Sequence, residues 1–150
     1  MRERERFRFF EALHDLRRVE HAATAEATTE AVREVERAHE ACDQAERLAR
    51  DAAEAWTTCL RAAAFDPEMA ARWGDDAITR AQTAASETAR LDASSRQLAQ
   101  RRDEQFAAAL VRDHAAKATH RAGLEWRRRH EERRLADASD HISRNRRGRP

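Results

Sequence analysis

Seven histidines, two cysteines and an abundance of carboxylates are the residues of this chain that could do chemistry. Their spacing argues against it. His14 and His21 stand seven apart and can share one helix face, and His114 and His120 do so less well. No HExxH motif occurs, and no Cys/His pair has the spacing of a structural zinc site. Cys42 and Cys59 fall 17 residues apart in one helical stretch, which separates them by roughly 25 Å, too far for a disulfide within that helix. They read as small apolar residues of a reducing compartment. Three scattered glycines exclude a phosphate-cradling loop. Serines and carboxylates need walls that exclude water and hold a substrate, and a thin helical chain has none. A non-catalytic protein without metal or cofactor is expected.

Two groups remain that could bind rather than react. The first is basic: Arg127, Arg128 and Arg129, then Arg133 and Arg134, then Arg144, Arg146 and Arg147, with Phe7, Phe9 and Phe10 at the other end of the chain. Each arginine alone reads as a solvated residue near a helix C-terminus, where the helix dipole favours a cation. Nucleic-acid binding is the weaker alternative, because Glu131, Glu132, Asp137 and Asp140 interrupt the basic face and no aromatic platform accompanies it. For the end as a whole, docking into a protein is the reading to keep, since so many arginines beside three phenylalanines exceed what solubility requires. The second group is Phe65, Met69, Trp73 and Ile78, set among Asp66, Glu68, Asp75 and Asp76. Two readings are open for it: a seal over a hairpin apex, or a partner contact.

The elements that must position these groups follow from periodicity. Val35, Ala38, Cys42, Ala45, Ala49, Ala52, Trp56, Cys59 and Ala63 recur alternately three and four residues apart, with charge between them. That is the period of a helix packed lengthwise on another helix. The pattern places helix one over about 10–64, weaker between Ala22 and Ala31, with a shift of register near Thr28. A break at 65–75 holds a short connecting helix from Pro67 to Trp73, capped by Asp66 and ended by Gly74 in a left-handed conformation. Asp75 or Asp76 then caps helix two, about 76–144. Its apolar side is formed by Ile78, Ala81, Ala85, Leu91, Leu98, Phe106, Ala109 and Leu110, then Leu124, Trp126, Leu135, Ala138 and Ile142. Gly123 marks a bend, and 145–150 is a frayed basic tail. Asp43–Arg47, Glu46–Arg50, Asp76–Arg80 and Asp92–Arg96 are expected to add i,i+4 ion pairs. A short turn makes the long helices antiparallel neighbours. Facing residues should sum to about 139, so that Leu13 meets Trp126 and Trp56 meets Thr83.

Composition supports an all-α antiparallel coiled-coil hairpin forming one domain. Of 150 residues, 34 are Ala, and Leu, Val, Ile and Phe together number 20. So few large apolar side chains point to disorder or a coiled coil, and the abundance of Ala, Arg and Glu with only three Gly and two Pro decides for helices. The net charge of +1 hides an uneven distribution: +2 over residues 1–8, +5 over 127–150 and −6 between. The opening MRERERFRFF has no apolar core of a secretory signal, and the run Phe106 to Val111 is too short to span a membrane.

This layout resembles the FliJ/YscO family, cytoplasmic stalk proteins of flagellar and injectisome type III secretion. The resemblance rests on the charged entry Arg6-Phe-Arg-Phe-Phe-Glu-Ala-Leu13, the Ala/Glu/Arg first helix, the central break with Trp73, and a longer second helix ending in Glu131-Glu-Arg-Arg-Leu-Ala-Asp-Ala-Ser-Asp-His-Ile142. It implies a cytoplasmic stalk, peripheral to the inner-membrane export apparatus and monomeric when isolated. Such a stalk docks into a hexameric secretion ATPase and links it to the cytoplasmic domain of the export gate, and family members also handle secretion chaperones. Carried onto this sequence, Phe9, Phe10, Arg127, Arg128, Arg129, Arg133 and Arg134 would meet the ATPase, and Phe65, Met69, Trp73 and Ile78 the gate. No nucleic-acid partner is implied. The rival reading from the residues is a coiled-coil chaperone or adaptor that binds a helical protein through an unsatisfied stripe.

Overall fold

Two long helices account for almost all of the chain. The computed structural model describes residues 2–147, with side chains from Glu3 to His141. Helix α1 spans Arg2–Leu60 and α2 spans Pro67–Arg147, packed antiparallel, and no strand occurs among the described residues. The side chains of Ile142, Arg144, Arg146 and Arg147, and the end of the tail, lie outside the described residues.

The helix boundaries differ from those expected. Helix α1 begins at Arg2 rather than near Phe10, because the Arg/Glu-rich start has high helix propensity and Glu3 is held by arginines of α2. It ends at Leu60, leaving Ala63 exposed and outside it. The stop is set by the following turn. Asp66 Oδ1 accepts the backbone N–H of Glu68 at 3.0 Å and of Met69 at 3.3 Å, which makes Asp66 the N-cap and Pro67 the first residue of α2.

The connecting helix expected from Pro67 to Trp73 is not separate: it is the first two turns of α2. Gly74 is helical and has no left-handed backbone. Asp75 and Asp76 cap nothing; Asp76 instead pairs with Arg80 at 2.8 Å. A mid-helix glycine costs about 1 kcal/mol, too little to break α2 here. The space left by its missing side chain is used: a Cβ on Gly74 would lie 3.4 Å from the Trp56 indole. Gly123, expected at a bend, plays the same part. It is helical, and a Cβ there would come within 3.1 Å of the Phe7 ring. Of the four expected i,i+4 ion pairs only Asp76–Arg80 forms, whereas Arg50 and Arg96 donate to the backbone carbonyls of Glu46 and Asp92.

Two compact units divide the chain: residues Met1–Thr24 with Gln105–Pro150, and residues Ala25–Glu104. In the second unit the α1 seam runs Thr28, Ala31, Val35, Ala38, Cys42, Ala45, Ala49, Ala52, and most of these are buried. It faces Ala70, Gly74 and Ala77, then Leu91, Ser94 and Leu98 of α2. Cys42 Sγ lies 3.5 Å from Thr88 Oγ1, Arg90 pairs with Glu34 at 3.1 Å, and the Thr28 hydroxyl donates to the Arg101 carbonyl at 3.2 Å. Both cysteines are free.

In the first unit the α1 seam is Glu3, Phe7, Phe10, His14, Arg17 and His21. Phe7 stacks on Trp126 with centroids 5.9 Å apart, Thr119 donates to the Phe10 carbonyl at 2.9 Å, and His21 Nδ1 lies 3.4 Å from Arg112. The three-four spacing from Glu3 to Phe7 and onward stays in phase with the later seam, so the register shift expected near Thr28 does not occur. The stretch only looked irregular because its seam residues are polar.

In both units facing residues sum to about 130, not 139: Phe7 faces Trp126, Cys42 faces Thr88 and Trp56 faces Gly74. The offset follows from the turn, which lies between Leu60 and Pro67 instead of spanning 65–75.

Candidate protein-docking surfaces

A coiled-coil seam normally takes the bulky apolar residues of its helices. Here the seam of the second unit is mostly alanine with glycine, serine and threonine, that of the first unit mixes Phe7, Phe10 and Trp126 with polar and charged residues, and no large side chain is fully buried among the described residues. Most of the bulky apolar residues lie outside. Phe9, Val19 and Phe106 are 64%, 67% and 66% exposed, and Leu16, Leu110, Val111, Leu124 and Leu135 are exposed with them. This corrects the expected apolar side of α2. Leu91, Leu98 and Trp126 do face α1, but Ile78, Ala81, Ala85, Phe106, Leu110, Leu124, Leu135 and Ala138 face out.

The turn group is exposed throughout: Phe65, Met69, Trp73 and Ile78 range from 40% to 55%. They do not seal the apex. Met69 and Trp73 stand one turn apart on one face of α2, and Phe65 lies in the turn before it. Ile78, five residues beyond Trp73, lies about 140° round the helix and on the other flank of the seam. The structure therefore puts Met69 and Trp73 on one face and Ile78 on another. On the Trp73 side a surface cleft of about 280 Å³ is lined by Leu48, Ala52, Ala55 and Trp73, with Asp51, Asp76 and Arg80 at its edge.

The basic end is partly committed to its own fold. Arg129 and Arg133 both donate to the Glu3 carboxylate, the latter at 2.8 Å. A backbone N–H bond, followed by these two guanidiniums, holds the Glu3 carboxyl down to about 2 from its usual 4.5. Arg127 donates to the Gly123 carbonyl and Arg128 to Glu132. Trp126 stacks in turn on His130 at 5.8 Å. Phe9 packs edge-on against Phe10 at 5.6 Å, while Arg6 lies over the Phe10 ring. Of the arginines expected to contact a partner, Arg134 alone has no ion pair or hydrogen bond among the described residues. It opens a stretch of α2, on to His141, in which every side chain is exposed. The basic end is thus a clasp at Glu3 followed by an exposed stretch of α2.

The outward residues of the first unit have a pattern that sequence reasoning missed. Phe9, Ala12, Leu16, Val19 and Ala23 also recur at three-four spacing, on the face of α1 away from the seam, and all five are exposed. The signal was present, a second stripe running beside the first. Its bulkier residues make it look like the hairpin's own seam. No group of three or more His, Cys, Asp or Glu able to hold a metal exists among the described residues, and none of their helices is long and apolar enough to cross a membrane. No protein-family model, no curated protein and no solved structure matches the chain.

Proposed function

We propose that this chain is a non-catalytic helical hairpin that works by binding other proteins, as the central stalk of a type III secretion apparatus. In this reading it docks into the hexameric secretion ATPase and links it to the export gate. The observation that carries protein binding is the distribution of apolar residues: most of the large ones are exposed outside the seam, and the seam of the second unit is built mainly of small ones. Burying Phe, Leu and Val side chains is worth roughly 1.5–3 kcal/mol each, and the hairpin leaves that free energy to a partner. The unlike ends support two contacts. The stretch of α2 from Arg134 to His141 offers an exposed charged segment, and the turn region offers Phe65, Met69 and Trp73 among carboxylates in the sequence.

The stalk identity rests on the resemblance in layout and is tested by titrating the purified chain into the hexameric secretion ATPase. Hydrolysis and hexamer formation should rise with its concentration. No change across the series would count against the stalk.

A second reading, a chaperone or adaptor for a helical partner, is favoured by the stripe Phe9, Ala12, Leu16, Val19 and Ala23, which has the spacing of a coiled-coil seam. Substitution separates the two. Leu16→Ser with Val19→Ser should abolish adaptor binding, whereas Arg134→Glu should impair ATPase stimulation.

A further inference from the structure

The two units carry opposite charge. Residues 1–24 and 105–150 hold 18 Arg and Lys against 11 Asp and Glu, a net of +7, whereas residues 25–104 hold 11 against 17, a net of −6. Fields of this size steer and orient association, most strongly at low salt. Both units also present unpartnered apolar surface. The basic unit has Phe9 on its outer face, beside Arg8. The acidic unit has the cleft of Leu48, Ala52, Ala55 and Trp73, with Asp51 and the Asp76–Arg80 ion pair at the edge. Every copy therefore carries an exposed aromatic side chain on a basic unit and an apolar cleft on an acidic one.

We propose that the occupant of these surfaces in the isolated protein is a second copy. The basic unit of each molecule lies on the acidic unit of the other, with Phe9 of each seated in the partner's cleft. Two contacts form at once, so the pair closes and does not grow into a chain. Same-unit pairing is opposed, because it would bring like net charges together. The inference does not rest on the stalk reading, and it departs from the monomer expected of a stalk: the surfaces that take a partner take a second copy when none is present.

Light scattering on the full chain at low and at high salt tests this. The expected mass is twice 17.2 kDa at low salt, falling toward one copy as salt rises. Lys117 is the only lysine, so in carbodiimide cross-linking of mixed isotopically light and heavy protein its links are set apart from those of the α-amine by peptide mapping. Light-to-heavy links should join Lys117 to carboxylates within residues 25–104. Phe9→Ser, at an exposed position, should leave the helical content unchanged and weaken pairing at least ten-fold. A monomer at low salt, light-to-heavy links absent or confined to the basic unit, an open series of larger species, or a Phe9→Ser variant that pairs like the parent would each overturn the proposal. The first of these would leave a different protein as the occupant.

Discussion

At the residue scale, two glycines in one helix do the same job with different margins. Each lies under an aromatic side chain of α1, and each costs about 1 kcal/mol of helix propensity relative to alanine. A Cβ on Gly74 would meet Trp56 at 3.4 Å, an ordinary contact, whereas one on Gly123 would meet Phe7 at 3.1 Å. Trp56 is partly exposed and free to yield, but Phe7 is also stacked on Trp126. Gly74→Ala should therefore raise stability by about 1 kcal/mol, and Gly123→Ala should gain less or lose, as read by thermal unfolding of the two variants side by side. Glu3 supplies a second residue-scale test. Its carboxyl is held down to about 2, so its contribution is full above the ordinary value of 4.5 and is lost as pH falls through the folded value. With Trp56 and Trp73 replaced by Phe, Trp126 emission should change on acidification from 4.5 toward 2, as the clasp of Glu3 with Arg129 and Arg133 opens. Glu3→Gln should remove most of that change.

At the element scale, Asp66 sets where α2 begins. Its carboxylate satisfies two backbone donors of the first turn, so Asp66→Ala should cost about 1 kcal/mol. Amide exchange should then quicken over residues 68–70, next to the docking residues Met69 and Trp73. The cap and Pro67 were legible in the sequence, as were the two long helices, the antiparallel arrangement and the α1 seam from Val35 to Ala52. The register was not. Gly74 and the Asp75–Asp76 pair look like a helix end, and placing the turn around them moved facing residues from a sum near 130 to one near 139. The outward stripe was not legible either, because sequence patterning assigns the bulkiest residues to the nearest seam. Here Leu16, Phe106 and Leu110 face away while His14, Arg17 and Arg112 take the seam positions. The basic end was legible as a charge cluster, but the division of its arginines between Glu3 and solvent depends on the three-dimensional register of α1 against α2.

At the scale of the whole molecule, the seam sets the antiparallel pairing and buries no large side chain fully among the described residues, while the outer faces hold most of the large side chains and the opposed charges. A molecule built this way is expected to do its work outside its own core. The most direct test compares three proteins in one binding titration against the hexameric secretion ATPase: the parent, a seam variant Cys42→Ala, and an outer-face variant Phe9→Ser with Arg134→Glu. Helical content is measured alongside. If the working surface lies outside, the seam variant binds like the parent, and the outer-face variant loses binding at unchanged helicity. An outer-face variant that binds as the parent does would contradict the account.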